Sequence, residues 1–261
     1  MSGKYKAPAV KKAFQILKLI SDSERGLSIS DLAKKLGISK GTIHGIASIL
    51  EELGAIVRDS STKRYALGLT LFELGRRAYS HIDLRRIARP AMEELMEDIQ
   101  ETVFLGTLNR EHVTILDVVE PRQDFKITAP VGTTLGFFTP ATGKAFLSVL
   151  DETEALKRIK SKGLPAFTDR SITDPDLFIK EVREARDKGY ATDDEEYIPG
   201  VRAVAALING EKDRKSAIWV VGFKASLNET KMDILKKKIK ETVESINSKI
   251  HDQSGLQADA F

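Results

Sequence analysis

The chain has 261 residues, 41% of them hydrophobic and 30% charged, with no cysteine and a net charge of +3. Such a chain reads as two domains of a globular, cytoplasmic protein with a real core; no apolar run reaches the roughly 18 residues of a membrane span, no apolar segment follows the basic N-terminus as a secretory signal requires, and the lack of cysteine removes disulfides, thiol nucleophiles and thiolate zinc sites. The charge is uneven, with 12 Lys and Arg against 6 Asp and Glu in residues 1–70 but 29 against 32 in the rest, which points to a polyanion partner for the N-terminal part.

Val10, Ala13, Phe14, Leu17 and Ile20 recur at spacings of three and four and predict a first helix. Ser28 or Ser30 caps a short second helix carrying Leu32, Ala33 and Leu36. Gly37 stands where that helix must stop and turn. Ser39 caps a third helix, with Ile43, Ile46, Ala47, Leu50 and Leu53 on its apolar positions. Small Ala33 lets the two helices approach and Ile38 fills the space between them. The pattern is a helix-turn-helix, whose second helix enters the DNA major groove by its N-terminal residues. Residues 55–58 and 64–67 then read as two short strands about the polar turn from Asp59 to Lys63. They form a wing, with Lys63 and Arg64 placed to reach phosphates.

Ser39, Lys40, Thr42, His44 and Gly45 are the outward positions at the start of the third helix. Lys40 and the hydroxyls suit phosphates or base edges. His44 either donates to a base acceptor or is an ordinary surface histidine. Gly45 costs about 1 kcal/mol of helix propensity relative to alanine. It either admits the backbone close to DNA or removes a contact. The partner expected is double-stranded DNA.

A linker helix is expected over residues 70–82, with Leu69, Phe72, Leu74, Ala78 and Ile82 apolar, and Pro90 at the start of a further helix. Arg76, Arg77, Arg85, Arg86 and Arg89 keep this connector basic. From Thr102 the pattern becomes β-rich: "TVFLGTLN", "HVTILDVVE", "FKITAP", "RAVAALIN" and "SAIWVVGFKA" read as strands. Between them, Asp151 with Glu154 predicts a capping box, and Asp174–Pro175 starts a helix that ends at Gly189. A last helix spans about 229 to 250, and the tail is polar. The fold class is α+β, with helices packed on an antiparallel sheet.

Chemistry would reside in "GFFTPATGKAFLSVLD". Thr139 and Pro140 start a helix there, so the N–H groups of Ala141, Thr142 and Gly143 would offer an anion site. The stretch is not a P-loop: Gly136 and Gly143 are too far apart and Ala145 stands where Ser or Thr is needed. In "GYATDDEEYIPGVRAVAA", Asp194 and Glu196 read as a solvated face and Asp193 as inward. Four scattered histidines and no cysteine argue against a metal site.

These motifs, "ISKGTIHGIASILEELGAI" with "RYALG", "APVGTTLGFFTPATGKAFLS" and "GYATDDEEYIPGVRAVAA", resemble the IclR family of transcriptional regulators. The resemblance runs from about Ala9 to Ile250 in the family's order and spacing. It implies a winged helix-turn-helix (1–68), a linker helix (69–82), a GAF- or PAS-like effector and oligomerisation domain (83–252) and a flexible tail (253–261). It also implies a homodimer or tetramer on a palindromic or pseudo-palindromic operator, a small organic acid as effector, no cofactor and no metal. Carried over by position, the effector pocket uses Leu135, Ala141, Thr142, Gly143, Asp193, Val201, Ala203, Trp219 and Val221. The family often has Cys at Ala203, Pro at Leu207, a Leu-His pair near Phe137 and Phe138, and Arg at Gly45. The pocket differences favour an apolar or aromatic acid, its carboxylate at Thr142–Gly143 and its ring against Trp219. The rival readings are an enzyme using Lys144 or Asp193, which has no paired nucleophile or cofactor fingerprint, and a scaffold that only oligomerises.

Overall fold

The computed structural model describes residues 7–80, 83–209 and 215–258, and the chain divides into two units, Met1–Ile82 and Asp83–Phe261. In the first unit, α1 (Pro8–Ser21), α2 (Ile29–Leu36) and α3 (Lys40–Glu52) precede a hairpin of β1 (Ile56–Arg58) and β2 (Tyr65–Leu67), then α4 (Leu69–Ser80). Of the two candidate caps, Ser28 is the one used. Its hydroxyl accepts from the Asp31 N–H at 3.2 Å, while the Asp31 carboxylate accepts from the Ser28 N–H at 3.0 Å. These bonds hold the Asp31 carboxyl below its ordinary value. Gly37 ends α2 in the left-handed region, at φ 64°. Leu32, Ala33, Ile43, Ala47 and Leu50 close on Ile16, Ile20, Ile56 and Tyr65 in one small core. Val10, Phe14 and Leu53 belong to the apolar stripes in sequence but are exposed, because the stripes are wider than this core. The wing turn is set by Asp59, whose carboxylate accepts from the N–H and the hydroxyl of both Ser61 and Thr62.

The second unit begins with α5 (Asp83–Ile99), β3 (Thr102–Asn109), β4 (His112–Val119), β5 (Thr134–Gly136), α6 (Pro140–Ser148), α7 (Glu152–Lys162) and α8 (Pro175–Lys188). It continues with β6 (Ala191–Asp194), β7 (Val201–Ile208), β8 (Ser216–Phe223) and α9 (Glu229–Ala258). The six strands form one antiparallel sheet in the order β5-β4-β3-β8-β7-β6. Strand alternation sends Phe104, Ala203, Ala205, Ala217 and Trp219 to the face covered by α6, α7 and α8. α5 and α9 pack together and against β3, β4, β7 and β8 on the other face.

Four expectations need correction. Pro90 lies inside α5 rather than at its start. The buried row Leu84, Ile87, Ala88, Ala91, Met92, Leu95 and Ile99 runs through it, so burial of that face outweighs the local penalty of proline. "FKITAP" is not a strand: the free edge of β4 is taken by Thr134–Gly136 instead. α9 continues to Ala258, past residue 252, where the folded part was expected to end; residues 259–261 lie outside the described residues, as do residues 81 and 82 at the end of the linker helix. Arg85 and Arg89 are not spare charge on a connector, because both pair with buried Asp117, at 3.1 and 2.8 Å.

A candidate DNA-reading helix and effector pocket

The start of α3 is capped by side chains. Ser39 Oγ accepts from the Thr42 N–H at 3.3 Å and lies 2.9 Å from Thr42 Oγ1. Lys40, Thr42, His44 and Gly45 are exposed, while Ile43 and Ala47 face the core. His44 Nδ1 lies 3.4 Å from Ser48 Oγ, one turn on. A methyl group at Gly45 would meet nothing within 4 Å, so the fold does not impose glycine there. Lys63 stands exposed at the wing tip with φ 57°. Arg64 departs from expectation: its guanidinium turns back to the Gly26 carbonyl at 2.8 Å and to Asp31 at 3.4 Å. It ties the wing to α2 instead of reaching outward. Exposed Arg58, over the Tyr65 ring at 5.8 Å, is a cation on the wing that sequence patterning had not singled out.

In the second unit, strand register places the expected pocket residues on one face. Asp193 pairs with Ala203, Ala203 with Val221, Ala205 with Trp219 and Val113 with Leu135, while Val201 is two residues from Ala203. α6 lies on this face, and every one of its residues is buried. Thr139 caps α6 without a side-chain bond, and its Oγ1 is buried and unpartnered. The same holds for Thr102 Oγ1, opposite Val221 on β3. The Gly143 N–H is not free, since it donates to the Thr139 carbonyl at 2.6 Å. Only the Ala141 and Thr142 N–H groups precede the helical ladder. Gly143 is there for close approach: a Cβ would sit 2.6 Å from the Phe137 carbonyl oxygen. Trp219 is only 3% exposed and stacks on Phe104, with centroids 5.4 Å apart and rings 10° from parallel. The indole edge lies where a Cβ on Gly106 would fall, at 2.7 Å. One indole face is therefore already occupied.

Charge is buried beside this face. Lys144, 1% exposed, donates to Glu196 Oε1 at 2.5 Å and to the Thr192 carbonyl at 3.0 Å, with Glu181 3.5 Å away. Glu196 is thus buried, not part of a solvated acidic face, whereas Asp194 is exposed and pairs with Arg202 at 2.6 Å. Burial raises the Glu196 carboxyl in spite of Lys144. Asp193 accepts from the Glu196 N–H at 2.7 Å and is itself raised to about 6, chiefly by burial.

The chain matches the bacterial transcriptional regulator IclR C-terminal domain over residues 76–248 and the IclR helix-turn-helix domain over residues 9–60. It belongs to the IclR family. The glycerol operon regulatory protein of Streptomyces coelicolor is 33% identical over 217 residues, 82% of this chain and 83% of that protein. The crystal structure of an IclR transcriptional regulator from Alicyclobacillus acidocaldarius, 27% identical, superposes with a TM-score of 0.80 over 94% of this chain and 99% of that one. An IclR homolog from Microbacterium hydrocarbonoxydans, solved with 4-hydroxybenzoate and 20% identical, shares the fold with a TM-score of 0.77 over 94% and 99%.

This chain is accordingly an IclR-type DNA-binding transcriptional regulator and not an enzyme. Lys144, the amine an enzymatic reading would need, is buried and committed to Glu196, Glu181 and the Thr192 carbonyl. Among the described residues no group of three or more histidine, aspartate and glutamate side chains is placed to hold a metal. No described helix is long and apolar enough to cross a membrane. For Asp193, the raised carboxyl favours the protonated folded state. Its stabilisation is complete below the unfolded value near 3.8 and is lost as pH rises towards 6. Asp193→Asn keeps the carbonyl acceptor for the Glu196 N–H. It is expected to flatten stability between pH 4 and 6 and to gain about 3 kcal/mol at pH 7 over the parent. Urea melts across that pH range read both effects, and an unchanged slope would contradict the assignment.

Proposed function

We propose that this regulator represses or activates transcription from a palindromic or pseudo-palindromic operator under control of a small organic acid, in the cytoplasm and as a homodimer or tetramer. Residues 1–68 read DNA, 69–82 form a linker helix and 83–252 bind the effector. The observation that carries the effector reading is the start of α6. A wholly buried helix begins with an unpartnered hydroxyl on Thr139 and two N–H groups, on Ala141 and Thr142, outside the helical ladder. Such a start favours an anion. Asp193, Val201, Ala203 and Val221 supply the facing wall, Leu135 its edge, and an aromatic effector would meet the Phe104–Trp219 stack. The fold neighbour solved with 4-hydroxybenzoate supports an acid of this size. In DNA reading, Lys40, Thr42 and His44 contact bases or phosphates, Ser39 holds the helix start, and Lys63 and Arg58 reach the backbone. Exposed Val10 and Phe14 on α1, and Leu69, Phe72 and Leu74 on α4, give a second copy an apolar surface to cover.

An effector that prefers one arrangement of the dimer shifts the spacing of the recognition helices against half-sites about 34 Å apart. The test is a panel of small aliphatic and aromatic acids, followed by melting and by binding to an operator selected from random duplexes. A true effector stabilises by about 2.7 kcal/mol at 100-fold over its Kd and changes operator affinity. Thr139→Val weakens its binding. A panel that moves neither readout, in protein that still binds its operator, rules out the acid reading.

A further inference from the structure

A second concave site in the effector unit is built from different residues. It is a cleft of about 700 Å³ between the β3–β4 turn and the C-terminal end of α7. Its apolar floor is Phe137 and Phe138, packed edge to face with centroids 5.2 Å apart. Its rim is cationic. Lys162 is neutralised by Glu111 at 2.8 Å, which leaves the two arginines. Arg158 spends only its Nε on Glu154, at 3.0 Å, and its guanidinium lies 5.7 Å from the Phe137 ring centroid. The terminal amino groups of Arg158, and the whole guanidinium of Arg110, make no hydrogen bond among the described residues. Partial desolvation, and to a lesser degree the Arg158 charge, push the Lys215 ammonium below its ordinary value. Cations are gathered here with fewer carboxylates than they need.

A lone surface arginine is an ordinary solvated side chain. One uncommitted guanidinium and the free amino groups of a second, lining a concavity of ligand size together with two phenyl rings, are a matched set. The rings exclude a bare inorganic anion as the best fit, and the guanidiniums exclude a neutral hydrocarbon. We propose that this cleft binds a small aromatic carboxylate, with its ring against Phe137 and Phe138 and its carboxylate held by Arg110 and Arg158. The site adjoins the start of α6 through Phe137 and Phe138, but its cations come from the β3–β4 turn and α7, and it does not depend on an effector binding at α6.

The probe is naphthalene-2-carboxylate, titrated calorimetrically into the full-length protein, with the neutral naphthalene-2-carboxamide as its isosteric control. The carboxylate is expected to bind roughly tenfold or more tighter than the amide, and the difference to shrink with salt. Arg110→Gln with Arg158→Gln is expected to remove that preference while leaving the melting temperature in place, since both side chains reach solvent. Thr139→Val, which changes the α6 cap but no side chain lining the cleft, is expected to leave it intact. Equal binding of acid and amide, full binding by the double arginine variant, or loss of binding in Thr139→Val would each overturn the proposal. So would the absence of any heat at millimolar carboxylate.

Discussion

Replacing Lys144 by methionine is expected to destabilise the effector unit by about 3–5 kcal/mol, the loss seen when one partner of a buried ion pair is removed. Methionine fills nearly the same volume, so the change is electrostatic rather than a cavity. It leaves Glu196 buried with no counter-charge and the Thr192 carbonyl with no donor. Glu196 already sits above its ordinary value with Lys144 present, and its Oε2 has no hydrogen-bond partner. Without the ammonium it will rise further and take up a proton nearer to neutrality. The variant should therefore be relatively more stable on the acid side, where a protonated Glu196 is no penalty, and lose stability as pH rises through the raised value. Lys144→Met with Glu196→Gln removes both charges and is expected to recover much of the loss. Urea unfolding of the two single variants and the double variant reads the coupling. A loss below about 1 kcal/mol in Lys144→Met would place the pair with solvated ion pairs instead.

Removing Lys40 and Lys63 together is expected to weaken operator binding by roughly a hundredfold near physiological salt, with most of the loss shared by all sequences. Each lysine on a phosphate should also lower the slope of log affinity against log salt by about one per protomer. Arg64→Ala is a contrasting control. Because Arg64 is committed to Gly26 and Asp31, its loss should loosen the wing and lower the melting point more than it changes the salt slope. Gly45→Ala separates the two meanings of that glycine. The methyl meets nothing in the chain and should strengthen α3 by up to about 1 kcal/mol. If operator affinity falls all the same, the bare backbone is what DNA approaches. Binding isotherms at several salt concentrations decide each point, and a salt slope unchanged by Lys40→Ala with Lys63→Ala would remove both from the interface.

The DNA-reading half was largely legible in sequence because its information is local. Ser28 and Ser39 cap, Gly37 turns, Ile43 and Ala47 face inward, and Asp59 organises the wing, each through neighbours a few residues away. Helices with strong caps, such as those after Asp151 and Asp174, were legible for the same reason. The strands β5 and β6, of three and four residues, are too short to carry a period, and only pairing with β4 and β7 makes them strands. Pro90 was misplaced because local geometry argued for a helix start, whereas a buried apolar row continues through it.

At the candidate sites the division is sharper. Residue type and motif order identified the α6 start and Asp193, and register brings them to one face of the sheet. Sequence could not say that the Gly143 N–H is spent on Thr139, that Trp219 is stacked on Phe104, or that Arg64 turns inward. Nor could it pair Lys144 with Glu196, 52 residues away, or bring Arg110, Arg158 and two phenylalanines to the lining of one cleft. Whether a charge is solvated, paired or waiting for a ligand depends on which distant groups the fold brings within a few ångströms, and on how much water they displace.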